Sequence, residues 1–219
     1  MNAILHPKLH ENGGPCTIDA PTEPTPLDCW RAPLQAATVV PGGAMPPSLN
    51  GVAFDPWRAA PDFDAGWTAL ACDDAPFAEP EFMPTLGKRV AAGVVIEEPD
   101  GRIWVVHPSN GFGGYPVTFP KGRRDAGMPL RATAVREAWE ESGLRVVLTG
   151  FLCDLERSIS RTRYYLGRRI GGCPADMGWE SQAVSLVPRA HLLTVLRNPH
   201  DVALVAMLPA PRDAAGRQA

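Results

Sequence analysis

This chain has no long apolar run: none of its 219 residues belongs to a stretch near the roughly 18 needed to cross a membrane. Its opening, MNAILHPKLHENGG, has neither the basic nor the apolar segment of a secretory leader, so the cytoplasm is the expected location. It also lacks a basic excess. With 21 Lys and Arg against 24 Asp and Glu, the net charge is −3, which argues against nucleic acid or an anionic membrane surface as a partner. Paired cysteines are missing too. Cys16, Cys29, Cys72, Cys153 and Cys173 are odd in number and scattered without a CxxC, so neither zinc spacing nor a placed nucleophile supports anything beyond reduced structural thiols. The five histidines are equally dispersed, and no internal repeat is present.

What remains is the composition of a soluble globular chain, 45% hydrophobic and 21% charged, long enough for one ordinary domain and an extension. More than half of the 24 prolines stand at or before Pro84, and proline breaks helices and central strands. Residues 1–87 therefore read as an irregular extension, with a short hairpin at Leu49-Asn50-Gly51-Val52. They also hold Trp30, Trp57, Trp67, Phe54, Phe63, Phe77 and Phe82, too many aromatics for a solvated linker. The segment is expected to drape over a core, with its first 20 or so residues disordered. It could supply a homodimer contact or a wall of a substrate pocket.

The core domain is expected over residues 88–208, with a flexible tail at 209–219. Residues 90–96 are β-rich, Glu97-Glu98-Pro99-Asp100-Gly101 signals a turn, and residues 103–107 return, so the pair reads as a hairpin. Glu97 and Glu98 read as structural strand ends. A glycine-rich loop (108–116) leads to a strand at 117–119. Further strands are expected at 145–148, 151–155, 163–170 and 183–187, with helices at 189–196 and 201–208. Strands on both sides of an amphipathic helix indicate an α+β or α/β sandwich.

The informative stretch is FPKGRRDAGMPLRATAVREAWEESGL, residues 119–144. A Gly/Arg-rich loop precedes a helix that begins near Pro129, a residue favoured in the first turn, and ends where Gly143 suits a left-handed cap. At about 100° per residue, Glu137, Glu140 and Glu141 share one face, while Ala132, Val135, Ala138, Trp139 and Ser142 lie opposite. Carboxylates so spaced repel by a few tenths of a kcal/mol per pair unless a cation sits among them, and hard divalent ions take such oxygens.

Gly122, followed at fixed distances by Arg136-Glu137-Ala138-Trp139-Glu140-Glu141-Ser142-Gly143-Leu144, resembles the Nudix box, and the resemblance extends over residues 88–208 with Pro120-Lys121 ahead of the box. It implies a Nudix-type α/β/α sandwich with a mixed central sheet. It also implies a pyrophosphohydrolase that uses Mg²⁺ or Mn²⁺ on a small nucleotide: a dinucleoside polyphosphate, ADP-ribose or a nucleotide sugar, or a nucleoside triphosphate. Carried over, Glu137, Glu140 and Glu141 are metal ligands, with the main-chain carbonyl of Lys121 a further one, and Arg136 orients them. Glu180, in a loop before the last strand, is a candidate metal ligand or base, and the motifs around it resemble the diadenosine tetraphosphate hydrolase branch. Lys121, Arg123 and Arg124 are candidate phosphate contacts. Tyr115, Tyr164 and Trp179 are candidate base-stacking rings, and the arginines at 161, 163, 168 and 169 alternate along a strand that could reach the pocket. One position departs from the family: Met128 stands where the box carries a glutamate. Asp125 could replace that carboxylate. Otherwise the fold could serve as a nucleotide sensor, or the extension could make this a partner-binding protein.

Overall fold

The computed structural model describes residues 3–72, 76–109 and 115–210. Gly111, Gly113, Gly114 and most of the expected tail lie outside them. In chain order the strands and helices are β1 (Ile4–Leu5), β2 (Thr17–Ile18), β3 (Ala37–Val39), β4 (Ser48–Leu49), β5 (Val52–Ala53), α1 (Asp64–Cys72), β6 (Arg89–Ile96), β7 (Arg102–Pro108), β8 (Lys121–Arg123), α2 (Leu130–Ser142), β9 (Leu144–Glu156), β10 (Ser160–Gly172), β11 (Ser181–Pro188), α3 (Leu192–Val195) and α4 (Pro199–Ala206).

Two sheets form the centre, ordered β8-β6-β10-β9 and β3-β11-β7. In the first, β10 runs parallel to β6 and antiparallel to β9, and β8 pairs antiparallel with β6. That mixture, covered by helices on two sides, is the expected α+β sandwich. The two-residue period of the strands sorts side chains into two cores. Ala92, Val94 and Ile96, Trp104 and Val106, and Val184 and Leu186 join α2 in one cluster. Val95, Ile103, Val105 and Val187 join Leu192, Leu196 and Leu204, from α3, its end and α4, in the other.

The turn at 97–101 forms, but the hairpin does not continue. After a single Glu97–Ile103 bridge, β6 and β7 diverge into different sheets, because each is buried on both faces and pairs elsewhere. The turn chemistry is local, whereas the pairing is set by the two cores. Glu98 is structural, as expected. Buried, it accepts from Trp104 Nε1 at 2.9 Å, Arg169 Nε at 2.6 Å and Asn50 Nδ2 at 2.9 Å. Residues 145–148 and 151–155 belong to one strand, β9, whose register slips through bulges rather than breaking at Gly150. Residues 117–119 contribute one bridge, Thr118 to Val106.

The extension is largely ordered. β4 and β5 pair as the expected hairpin, with Asn50 and Gly51 at positive φ (50° and 79°), as a two-residue turn requires. Trp30, wholly buried, packs between Phe54 and Trp104. The helix α1 has no counterpart in the sequence reading; it places Trp67 against Trp139 of α2. The expected disorder of the first 20 residues is corrected: β1 and β2 pair, His6 is buried, and His10 stacks on Trp179 at 4.0 Å. Cys16, Cys29, Cys153 and Cys173 are free thiols.

Candidate active site

Helix α2 follows Pro129, which occupies the N-cap rather than the first turn, and ends at Gly143 in the left-handed conformation (φ 68°). Its alanine face is buried as expected, but the opposite face is not simply solvated. Glu137 and Glu141 are buried, while the Glu140 side chain stays 43% exposed. Strand β8 runs beside the helix, where the sequence suggested only loop. Gly122 is required there, because a Cβ would sit 2.1–2.4 Å from the Glu137 carboxyl atoms. Lys121 N–H donates to Glu141 Oε2 at 2.8 Å. Hydrogen bonds from Val94 N to Pro120 O and from Arg124 N to Val90 O fix the alternation of the β6–β8 ladder. In that alternation the N–H and C=O of Lys121 both turn away from β6, so its carbonyl faces the glutamates' side.

Arg136 is the hub. Its guanidinium donates to Asp125 Oδ2, to Arg123 O and to Glu137 Oε1 (the last two at 3.3 Å), and Nε lies 3.5 Å from Glu140 Oε2. Asp64, at the start of α1, stands 4.0 Å from Nη1. Met128 is buried in the apolar cluster under α2, so this chain fills the family's glutamate position with core and brings the Asp125 carboxylate to Arg136.

The carboxylates of the site are buried and repel one another. Burial, and then the repulsion of Glu141 and Glu140, push Glu137 well above the ordinary carboxyl range. Burial raises Glu140 and Glu141 to about 7, and Arg136 and Lys121 respectively oppose the rise. Glu180 is raised by burial, then by Glu11. Among the described residues, no three His, Cys, Asp or Glu side chains are already gathered as a ligand set. The donor chemistry nevertheless fits a hard divalent ion: three carboxylates whose ionisation is opposed by burial crowd one helix face, beside a main-chain carbonyl turned toward them.

A cleft of about 300 Å³ opens beside Glu141 and Glu180. Lys121 and Arg123 line it, whereas Arg124 is exposed outside it. Tyr115 and Trp179 line it as well. Tyr164 does not, being wholly buried and accepting from Arg157, so it is no stacking platform. The alternating arginines are not cleft residues either. Arg163 is bound by Asp154 and Glu79 and Arg169 by Glu98, and neither Arg161 nor Arg168 lines the cavity. Sequence reasoning missed Arg89, Arg157, Asn198 and His200, which do line it. They lie outside the box, and only the turn-forming Asn198-Pro199 pair marked their neighbourhood. A second cavity of about 450 Å³ lies across Arg136 and Glu140, walled by Trp57, Trp67 and Trp139.

Comparison with known proteins places these features in a family. The family model for the NUDIX domain matches residues 87–203. No curated protein matches the chain. Among solved structures, an ADP-ribose pyrophosphatase from Streptococcus suis is similar at 21% identity and TM-score 0.44, over 53% of this chain and 88% of that one. A Caenorhabditis elegans Ap4A hydrolase is similar at 18% identity and TM-score 0.43, over 54% and 93%. A UDP-X diphosphatase is similar at 16% identity and TM-score 0.45, over 68% and 72%.

Proposed function

This chain belongs to the NUDIX family, and from that premise we propose that it is a Mg²⁺- or Mn²⁺-dependent hydrolase cleaving a phosphoanhydride bond in a nucleotide. The observation that carries this reading is the joint placement of Glu137, Glu140 and Glu141 on α2 against β8, with Arg136 tied to Asp125 and the cleft opening at Glu141. Glu137, Glu140, Glu141 and the Lys121 carbonyl would hold the metal. When bound, such an ion neutralises charge on the phosphates and acidifies water. The chain's own groups do the rest. Arg136 holds Glu137 and Glu140 in register and screens their repulsion. The Lys121 N–H fixes one oxygen of Glu141. Lys121 and Arg123 bind phosphate oxygens with charge-assisted hydrogen bonds. Glu180, made a stronger base by burial, accepts a proton from water within the cleft as its carboxylate. The leaving group is a nucleoside phosphate.

The substrate is a small nucleotide: a dinucleoside polyphosphate, ADP-ribose or a nucleotide sugar, or a nucleoside triphosphate. The sensor reading rested on Met128 alone. The Asp125 carboxylate on Arg136 supports the enzyme reading over it. The test is hydrolysis of this substrate panel with Mg²⁺ and with chelator. Metal-dependent turnover is expected, and Glu140→Gln should lower kcat by about a hundredfold or more. Nucleotide binding with no turnover of any substrate would establish the sensor instead.

A further inference from the structure

We propose that the stretch of the cleft running from Arg157 to Arg89, away from the glutamates, is a phosphate subsite that selects substrates carrying a phosphate beyond the anhydride being cut. This rests on the reading of the cleft as a phosphoanhydride-hydrolysing site.

Sheet register sets the two ends of the cleft apart. Gly93 of β6 stands opposite Lys121, whose N–H holds Glu141. Arg89 of the same strand stands opposite Ser160. Four residues of extended chain separate them, about 13 Å, several times the span of one P–O–P linkage. Among the described residues, the only carboxylates lining the cleft, Glu141 and Glu180, belong to the box end. At the far end stands Arg89, with the hydroxyls of Ser158 and Ser160, while Arg157, which reaches from the β9–β10 turn to Tyr164 opposite Gly93, spans the stretch between the two ends, and His200 lines the same cleft.

Arg157 is built to present one edge. It is buried, and its Nη1 donates to Asp201 Oδ1 at 2.6 Å and to the Tyr164 hydroxyl at 3.1 Å. Asp201 has no exposed surface, and its other oxygen accepts from Thr118 Oγ1 at 2.8 Å. Among the described residues, Nε and Nη2 of Arg157 have no such partner, and the residue lines the cleft. A buried ion pair of this kind adds little net stability, but it locks the guanidinium, and a locked guanidinium edge matches two phosphate oxygens. Arg89 is exposed and its side chain has no partner among the described residues, leaving its charge for a ligand. The first turn of α4, where Asn198 caps His200 N–H at 3.0 Å, adds partial positive charge beside Arg157. The chemistry is that of a phosphate, supplied either by a second nucleotide or by the tail of a nucleoside triphosphate.

The test compares kcat/KM for diadenosine tetraphosphate, ATP and ADP-ribose, the last having no phosphate beyond its anhydride, in wild type, Arg89→Gln and Arg157→Lys. Arg157→Lys keeps a cation on Asp201 and removes the second edge. The ratio of kcat/KM for diadenosine tetraphosphate over ADP-ribose should fall about tenfold in each variant, through KM, at unchanged melting temperature. ATP losing ground alongside the tetraphosphate would identify a terminal phosphate, and the tetraphosphate losing ground alone would identify a second nucleotide. An unchanged ratio in both folded variants overturns the proposal. Titration of tripolyphosphate into the intact protein in chelator gives a readout without turnover. Binding about tenfold weaker in Arg89→Gln supports the subsite even if no anhydride is hydrolysed, an outcome that would remove the enzyme reading alone. Equal binding overturns the subsite even in an active enzyme.

Discussion

At the scale of single residues, the site depends on two positions that carry no charge. Gly122 leaves the space that the Glu137 carboxylate occupies. Gly122→Ala should therefore displace that side chain and abolish metal-dependent turnover while the fold survives, as circular dichroism and the assay together would show. Met128 is the opposite case. Restoring the family's glutamate with Met128→Glu would bury a carboxyl in the cluster under α2, and unpaired burial of this kind costs about 2–5 kcal/mol. A lower melting temperature with no gain in kcat is expected; an increase in kcat would show that the glutamate can still reach Arg136. Asp125→Ala should lower kcat by roughly tenfold, since it strips Arg136 of its closest carboxylate; an unchanged rate would remove Asp125 from the mechanism. The glutamates, Arg136 and Gly122 were legible in the sequence because their spacing is compound and local. Arg157 and His200 were not, because they enter the cleft only through the β9–β10 turn and α4, whose positions are set by tertiary packing.

At the scale of elements, α2 carries a pH-dependent liability. In the metal-free protein Glu140 and Glu141 titrate at about 7, above the unfolded carboxyl value of about 4.3. The folded state thus binds more protons than the unfolded one, and stability contributed here is present at low pH and lost as pH rises from about 4.3 toward 7. A divalent cation favours the ionised form and should reverse the loss. The rise in melting temperature on exchanging chelator for Mg²⁺ should be small at pH 5 and larger at pH 8; a pH-independent rise would place the ion elsewhere. Helix limits were readable from Pro129 and Gly143, and the turn at 97–101 from its own residues. The partners of β6 and β7 were not, since a strand buried on both faces gives the same apolar run whichever neighbour it takes.

At the scale of the whole molecule, the extension is part of the sheet. β3 pairs with β11, Trp30 and Phe54 complete the main core, and Asp64 approaches Arg136. Removing residues 1–87 should therefore leave an insoluble or molten chain, read as loss of a cooperative thermal transition, whereas removing residues 1–20 alone should keep the transition cooperative at a lower melting temperature, since it strips Trp179 and Gln182 of their contacts. The extension's irregularity was visible in its prolines, and its burial in its aromatics. Its pairing was invisible, since three residues of strand carry too little pattern. That pairing has a consequence in time. Thr38 meets Ser185 across 147 positions of chain, so at translation rates of about 5–20 residues per second the first-made strand waits roughly 7–30 s for its partner. Through that interval Trp30 and Phe54 have no completed core to enter, and the nascent chain must be shielded from its neighbours. The loop carrying Glu180 emerges just ahead of β11, so assembly of the sheet and completion of the site fall at the same late moment of synthesis.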